Sequence, residues 1–150
     1  MAVNSTQLLR VIRQFRRYYD RQFTELLART GLSMREVDVV LFLTNNPACD
    51  TAKDVTELRG LAKSQVSAAV DLLVERGLLR RLPDGADRRV THLALTDPGT
   101  ALGREAKRIQ SACLNALFAG LEPGEAARFQ ELLEKLLTHA ETMLREGAGA

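Results

Sequence analysis

Two groups of side chains have the types and spacing for chemistry. Lys63, Ser64, Gln65 and Ser67 stand at the start of a segment with helical apolar spacing, and Ala68 follows on the same polar side. The Gln65 carboxamide carries a donor and an acceptor side by side, which match the two-point edge of adenine in a major groove, and serine hydroxyls can serve several bases. Lys63 and the backbone N–H groups of a helix start favour phosphate. The second group is Arg80, Arg81, Arg88 and Arg89, set against Asp84 and Asp87 around a turn. Arginine at the tip of a hairpin can enter a narrow minor groove, where the potential is most negative. Asp87, two residues before Arg89, can hold that guanidinium in a bidentate pair. This is recognition chemistry rather than turnover. Taken alone, the first group also reads as an ordinary solvated helix face, and the second as a solvated basic turn with a local ion pair.

The elements that must position these groups are legible from period and punctuation. Leu8, Ile12, Phe15, Tyr19, Phe23 and Leu26 recur at helical spacing, which predicts one helix over about Ser5 to Arg29, ended by Gly31. Ser33 with Glu36 forms a capping-box pattern before a helix carrying Val37, Val40, Leu41 and Leu43, which stops near Asn45-Asn46-Pro47. A short helix from about Ala52 to Arg59 is closed by Gly60, and the next runs from about Lys63 to Arg76, closed by Gly77. Val66, Ala69, Val70, Leu73 and Val74 form its core face, while Asp71 and Glu75 make its outer end acidic. Phosphates repel that end, so such a helix enters a groove by its N-terminus. Leu78 to Leu82 and Val90 to Leu95 read as two strands of a hairpin around Pro83-Asp84-Gly85-Ala86-Asp87. Thr96 or Asp97 caps a long helix from Pro98 to about Ala119, and Pro123 opens a last helix rich in Leu. The tail 147–150 reads as frayed.

The predicted class is mainly α with a small β-hairpin (α+β): a winged helix-turn-helix core over about 33–96, with helices over about 5–30 and 98–146 forming a dimerisation region, all within one domain of 150 residues. The formal net charge of +2 is a weak signal, so what matters is where the positive charge lies. Cys49 and Cys113 are far apart and form no CxxC, and with His92 and His139 they share no metal-ligand spacing, so neither a metal nor a cofactor is expected. No stretch approaches a membrane span and no apolar run has signal-peptide length, which predicts a cytoplasmic protein. A phosphate-binding Gly loop, a zincin helix, a nucleophile elbow and a clustered acid pair are all missing, which argues against an enzyme.

The stretch LAKSQVSAAVDLLVERGLLRRLPDGADRRVTHLALTDPG, Leu61 to Gly99, resembles the central signature of the MarR family of regulators. The KSxVS start, the VDxLxxRGLxxR end, and DRR followed by LTxxG carry the likeness. It implies a homodimer that binds successive half-sites of a pseudo-palindromic duplex operator. It implies recognition by Lys63, Ser64, Gln65 and Ser67, a minor-groove Arg89 in a wing with Arg88, and Asp87 as the partner of Arg89. Position 68 is Ala where many relatives carry Arg, and position 62 is Ala where a Ser or Asp cap is usual; Ser64 is an alternative cap for a later start.

Apolar residues of the last helix (Phe129, Leu132, Leu133, Leu136, Leu137, Ala140, Met143) and of the first (Leu8, Ile12, Phe15) call for a partner surface, either within the chain or on a second copy. The family likeness also implies a small anionic or phenolic effector, or an oxidant. Phe15, Arg16, Tyr19, Phe42 and Cys113 are candidate effector-lining residues, each also readable as plain core or surface charge. Cys49, in a loop, is the better candidate for a redox thiol. The rival readings are a winged-helix module for protein–protein contact and a thiol-based redox regulator.

Overall fold

The computed structural model describes residues 4–147. Its described elements are α1 (Ser5–Gln22), α2 (Thr24–Thr30), α3 (Met34–Asn45), α4 (Ala52–Arg59), α5 (Lys63–Glu75), β1 (Leu79–Pro83), β2 (Thr91–Leu95), α6 (Asp97–Phe118) and α7 (Pro123–Gly147). Of the tail expected to fray, Gly147 is the last residue of α7, and 148–150 lie outside the described residues. Residues through Cys113 form one compact unit and those from Leu114 a second.

The one helix expected over Ser5 to Arg29 is two. Phe23 donates its N–H to the Asp20 carbonyl at 3.2 Å, three residues back rather than four, and this tightened turn separates α1 from α2. The period itself survives the break: Tyr19, Phe23 and Leu26 are all buried, with the Tyr19 and Phe23 rings 4.9 Å apart. Asn4 caps α1, its Oδ1 accepting from the Thr6 and Gln7 amides at 3.0 and 3.3 Å.

α3 is the centre of the first unit, with Val37, Val39, Val40, Leu41, Phe42 and Leu43 all buried. Its start is fixed by Glu36, whose carboxylate accepts the Ser33 amide at 2.6 Å and the Ser33 hydroxyl. α4 starts on a full capping box: the Asp54 carboxylate accepts the Thr51 amide at 3.0 Å, and Thr51 Oγ1 accepts the Asp54 amide at 3.1 Å. Val55 of α4 and Val66, Ala69, Val70 and Leu73 of α5 close on α3, so two helices joined by the Gly60 turn share one apolar base.

The hairpin is antiparallel, with Leu79 opposite Leu95, Arg81 opposite Leu93 and Pro83 opposite Thr91. Each strand starts one residue later than the sequence suggests, and β1 runs one residue further, taking Pro83 from the expected turn. Leu78 is taken by the end of α5, its amide donating to the Leu73 carbonyl at 2.9 Å, a six-to-one bond around Gly77 at φ 70°. Val90 is taken by the turn, accepting the Asp84 amide and donating to the Asp87 carbonyl, both at 3.1 Å. Thr96, of the two caps considered, starts α6: its hydroxyl donates to the Gly77 carbonyl at 2.6 Å and accepts the Gly99 amide at 3.2 Å. Gly99 is obligatory there, because a Cβ would lie 2.0 Å from the Leu78 carbonyl oxygen.

The second unit holds the end of α6 and all of α7, with Phe118 and Phe129 packed edge to face at 5.5 Å. None of the described residues of α7 is buried.

Candidate nucleic-acid interface

α5 buries Val66, Ala69, Val70 and Leu73 on its inner face. Its outer side at the N-terminus is free: Lys63, Ser64, Ser67 and Ala68 are exposed and Gln65 is half-buried. The helix starts at Lys63 with Ala62 as its cap residue, so the later start at Ser64 does not occur. Ala62 has no side chain to bond the first amides. Among the described residues the only side-chain contribution there is Gln65 Oε1, which accepts the Ala62 amide at 3.4 Å, a long bond. Four polar or small side chains and underused N–H groups therefore share one exposed helix end, a place suited to phosphate and base edges.

A groove of about 530 Å³ runs beside this tip, between α4, α5 and the hairpin. Lys53, Thr56, Lys63, Ser67, Arg81 and Thr91 are on its walls and Val66, Val70 and Leu93 at its floor. Arg81 of β1 reaches across to pair with Asp71 of α5. The sequence reading places Asp71 as a phosphate-repelling charge; in the fold an arginine from the hairpin offsets it. Strand pairing sets this contact, and sequence spacing gave no signal of it.

The turn between the strands is held by two aspartates with different tasks. Asp84 Oδ2 accepts the Ala86 amide at 2.9 Å and the Asp87 amide at 2.8 Å, closing the loop on itself. Asp87 aims Arg89: its Oδ1 accepts the Arg89 backbone amide at 2.9 Å and Nε at 3.2 Å, and its Oδ2 accepts Nη2 at 3.4 Å. Those bonds, the backbone one first, hold the Asp87 carboxyl below the usual carboxylate range. The Arg89 side chain remains 91% exposed, so it is oriented without being covered. Arg88 is exposed beside it.

Asp84 has a further partner. Its Oδ1 lies 2.7 Å from His92 Nε2, while His92 Nδ1 lies 2.6 Å from Asp50 Oδ1 in the α3–α4 connection. The His92 contact, then the two turn amides, pull the Asp84 carboxyl down to about 2. Asp50 was not singled out from the sequence, and Asp84 and His92 were read only as a turn acid and as a histidine without metal-ligand spacing, because the three come together only when the hairpin folds back on that connection.

The MarR family model matches residues 6–90, and the matched stretch contains α5 and the hairpin turn. The chain belongs to the MarR family. Transcriptional repressor MprA of Escherichia coli K12 is 31% identical over 88 residues, 59% of this chain and 50% of that protein. The chain spans about half the length of the curated relatives it matches. A cysteine-to-serine mutant of MarR from E. coli, complexed with operator DNA, is similar at 25% identity and a TM-score of 0.68, over 87% of this chain and 94% of that one. BpsR of Bordetella bronchiseptica, described with regulation of its DNA binding by 6-hydroxynicotinic acid, is also 25% identical with a TM-score of 0.68, over 87% and 98%.

In this MarR-family chain the five candidate effector residues differ in exposure. Tyr19, Phe42 and Cys113 are core residues, Phe15 is half-buried with its ring 5.9 Å from Tyr19, and Arg16 is exposed and pairs with Asp20 at 3.0 Å. Tyr19 Oη accepts a hydrogen bond from Gln110 Nε2 at 3.0 Å, and burial raises its pKa. Burial likewise pushes the Cys113 thiol up, away from the thiolate a redox sensor needs. Cys49 is half-buried, and both cysteines are free thiols. Among the described residues no cluster of three His, Cys, Asp or Glu is placed to hold a metal ion. No described helix is long and apolar enough to cross a membrane.

Proposed function

We propose that this MarR-family chain is a sequence-specific duplex-DNA-binding repressor that works as a homodimer and is released by a small anionic or phenolic effector. The observation that carries the reading is the exposed α5 tip standing beside a hairpin whose Arg89 is aimed but uncovered. Lys63 and the helix-start amides meet phosphate; Gln65, Ser64 and Ser67 face base edges; Arg89 enters the adjoining minor groove, with Arg88 on the backbone. Ala68 supplies a small contact surface where an arginine would otherwise reach DNA.

Dimerisation is supported by apolar surface with no cover inside its own unit. Leu8, Leu9, Val11 and Ile12 of α1 are exposed, as are Leu132, Leu133, Leu136, Leu137, Met143 and Leu144 of α7. Exposed runs of this kind are characteristic of association surfaces. A two-fold protein then presents two α5 tips about one helical turn of DNA apart, roughly 34 Å, which fits a pseudo-palindrome. Regulation of BpsR DNA binding by 6-hydroxynicotinic acid supports an effector of this class, and the proposed contacts are Phe15, Arg16, Tyr19, Phe42 and Cys113.

The test is selection of bound fragments from a random duplex pool, with molar mass measured by light scattering. The expected result is an inverted repeat bound by a dimer. A monomer with no enriched motif would defeat the proposal. Leu136→Asp is expected to convert the dimer to monomer and to abolish binding to the selected duplex.

A further inference from the structure

His92 stands between two carboxylates contributed by different parts of the chain. Nδ1 is 2.6 Å from Asp50 Oδ1 and Nε2 is 2.7 Å from Asp84 Oδ1. Both carboxylates are acceptors only, and a neutral imidazole has one N–H. The two short contacts are therefore satisfied together only by the imidazolium, which donates from both nitrogens. In the neutral ring one nitrogen lone pair faces a carboxylate oxygen, so one contact turns from attraction to repulsion.

The position of this ring gives it leverage. Asp50 belongs to the connection before α4, and its carbonyl accepts the Leu93 amide at 2.7 Å. Asp84 belongs to the turn that carries Arg89, and it already binds the amides of Ala86 and Asp87. A hydrogen-bonded chain thus runs from the body of the first unit through Asp50, His92 and Asp84 to Asp87, and from there to the Arg89 guanidinium. The other charged group acting on the ring is Asp54 of α4, with Lys53 beside it; the β1 residue opposite His92 is Leu82, and its bridge partner before α4 is Thr51. The charged groups that act on the ring, Asp50, Asp84 and Asp54, are acidic.

We propose that His92 is a positioning residue for the wing, and that its doubly protonated ring is the form that ties the Arg89-bearing turn to the body, so that the grip on DNA weakens as pH rises. The inference rests on the reading that the wing grips DNA. Hydrogen bonds donated to Asp50 first and Asp84 second raise the His92 pKa above its ordinary value. With a folded value above the unfolded one of about 6.5, the tie is complete below that pH and is lost as pH rises through the folded value. By reciprocity, if protonation favours DNA, then DNA raises the His92 pKa further, and each unit of that rise corresponds to about tenfold in affinity across the titration.

The probe is a duplex recovered by the selection described above, titrated by anisotropy at fixed salt from about pH 6 to about pH 9, the span over which histidine charge changes. The chain has two histidines, His92 and His139, so the ring signals are assignable by NMR with His139→Gln as the control. In the wild type, affinity is expected to fall at the midpoint at which the His92 ring titrates, and that midpoint to move up when DNA is added. His92→Gln is expected to give a pH-independent affinity at or below the wild-type alkaline value. Asp50→Asn, which leaves the turn intact, is expected to shift the midpoint down. A wild-type profile that is flat, or that keeps its slope in His92→Gln, overturns the inference. If Arg89→Ala leaves affinity unchanged, the wing reading itself has failed; if Arg89→Ala weakens binding while pH does not act through His92, only the present inference has.

Discussion

Arg89→Ala isolates the wing from the rest of the molecule. The side chain is 91% exposed and among the described residues it pairs with Asp87 alone, so removing it uncovers no core and breaks one surface ion pair. Exposed pairs of this kind contribute little to folding, and Asp87 keeps its bond to the residue 89 amide, so the melting temperature and the dimer mass are expected to stay at wild-type values. The effect on DNA should be large by comparison. Loss of an arginine that reads a groove costs about 1–3 kcal/mol, or about 5- to 150-fold in affinity, for each half-site. The salt dependence gives a second, independent magnitude. Each phosphate charge neutralised contributes about 0.9 to the slope of log K against log salt, so a dimer losing two wing arginines should show a slope shallower by about 2. The assay is anisotropy on a selected duplex over a salt series, with light scattering and thermal melting on the same preparations. Arg89→Lys should retain the slope while recovering only part of the affinity, because the ammonium keeps the charge but not the planar fork. An unchanged slope in Arg89→Ala, with dimer and fold intact, would refute the placement of the wing on DNA.

Three other outcomes follow from the geometry. Gln65→Ala should relax preference at one base pair per half-site by about 1–3 kcal/mol without changing the salt slope, as read by repeating the selection with the variant. Gly99→Ala puts a methyl 2.0 Å from the Leu78 carbonyl oxygen, whereas Gly103→Ala meets the Thr44 hydroxyl at 2.2 Å, a side chain able to turn away. The first should therefore destabilise more, by about 1–3 kcal/mol or above, and equal melting losses would contradict the distinction drawn between backbone and side chain. The Asp84 carboxyl, lowered to about 2, gives an acid limb. Its bonds to the turn are present above the unfolded value near 4 and are lost as pH falls through about 2, so turn amides followed by NMR should lose protection there in wild type, a step that Asp84→Asn, with no carboxyl to protonate, should not show.

The parts of this fold visible in the sequence are those set by local rules. Gly31, Gly60 and Gly77 end helices at φ values of 68°, 73° and 70°, and the capping residues Ser33 and Glu36 mark a start. The bounds of α4 and of the start of α5 were readable because apolar period and glycine punctuation agree there. The break at Phe23 was not, because a three-residue hydrogen bond leaves the apolar period intact across it. At the site, the pairing of Asp87 with Arg89 was legible as a two-residue interval. The Arg81–Asp71 pair and the Asp50–His92–Asp84 chain were not, since each joins residues whose proximity depends on how the hairpin lies against α4 and α5. Contacts within a turn follow from spacing; contacts between elements follow from packing.

The departure at Ala62 bears on how the α5 tip can serve both as a helix start and as a reading surface. A serine or aspartate at that position would occupy the first amides with its own oxygen and stabilise the helix by about 1 kcal/mol. Alanine leaves those amides to solvent or to a phosphate. The side-chain bond described at that start runs instead from the Ala62 amide to Gln65 Oε1, and at 3.4 Å it is long enough that giving it up costs little. Gln65 can therefore leave the Ala62 amide for a base edge while a phosphate takes over the helix end. Stability at the tip is exchanged for availability, and the exchange is cheap because the rest of α5 is anchored by Val66, Ala69, Val70 and Leu73 in the core. The tip is weakly satisfied at the end that must change partners and firmly held at the face that must not.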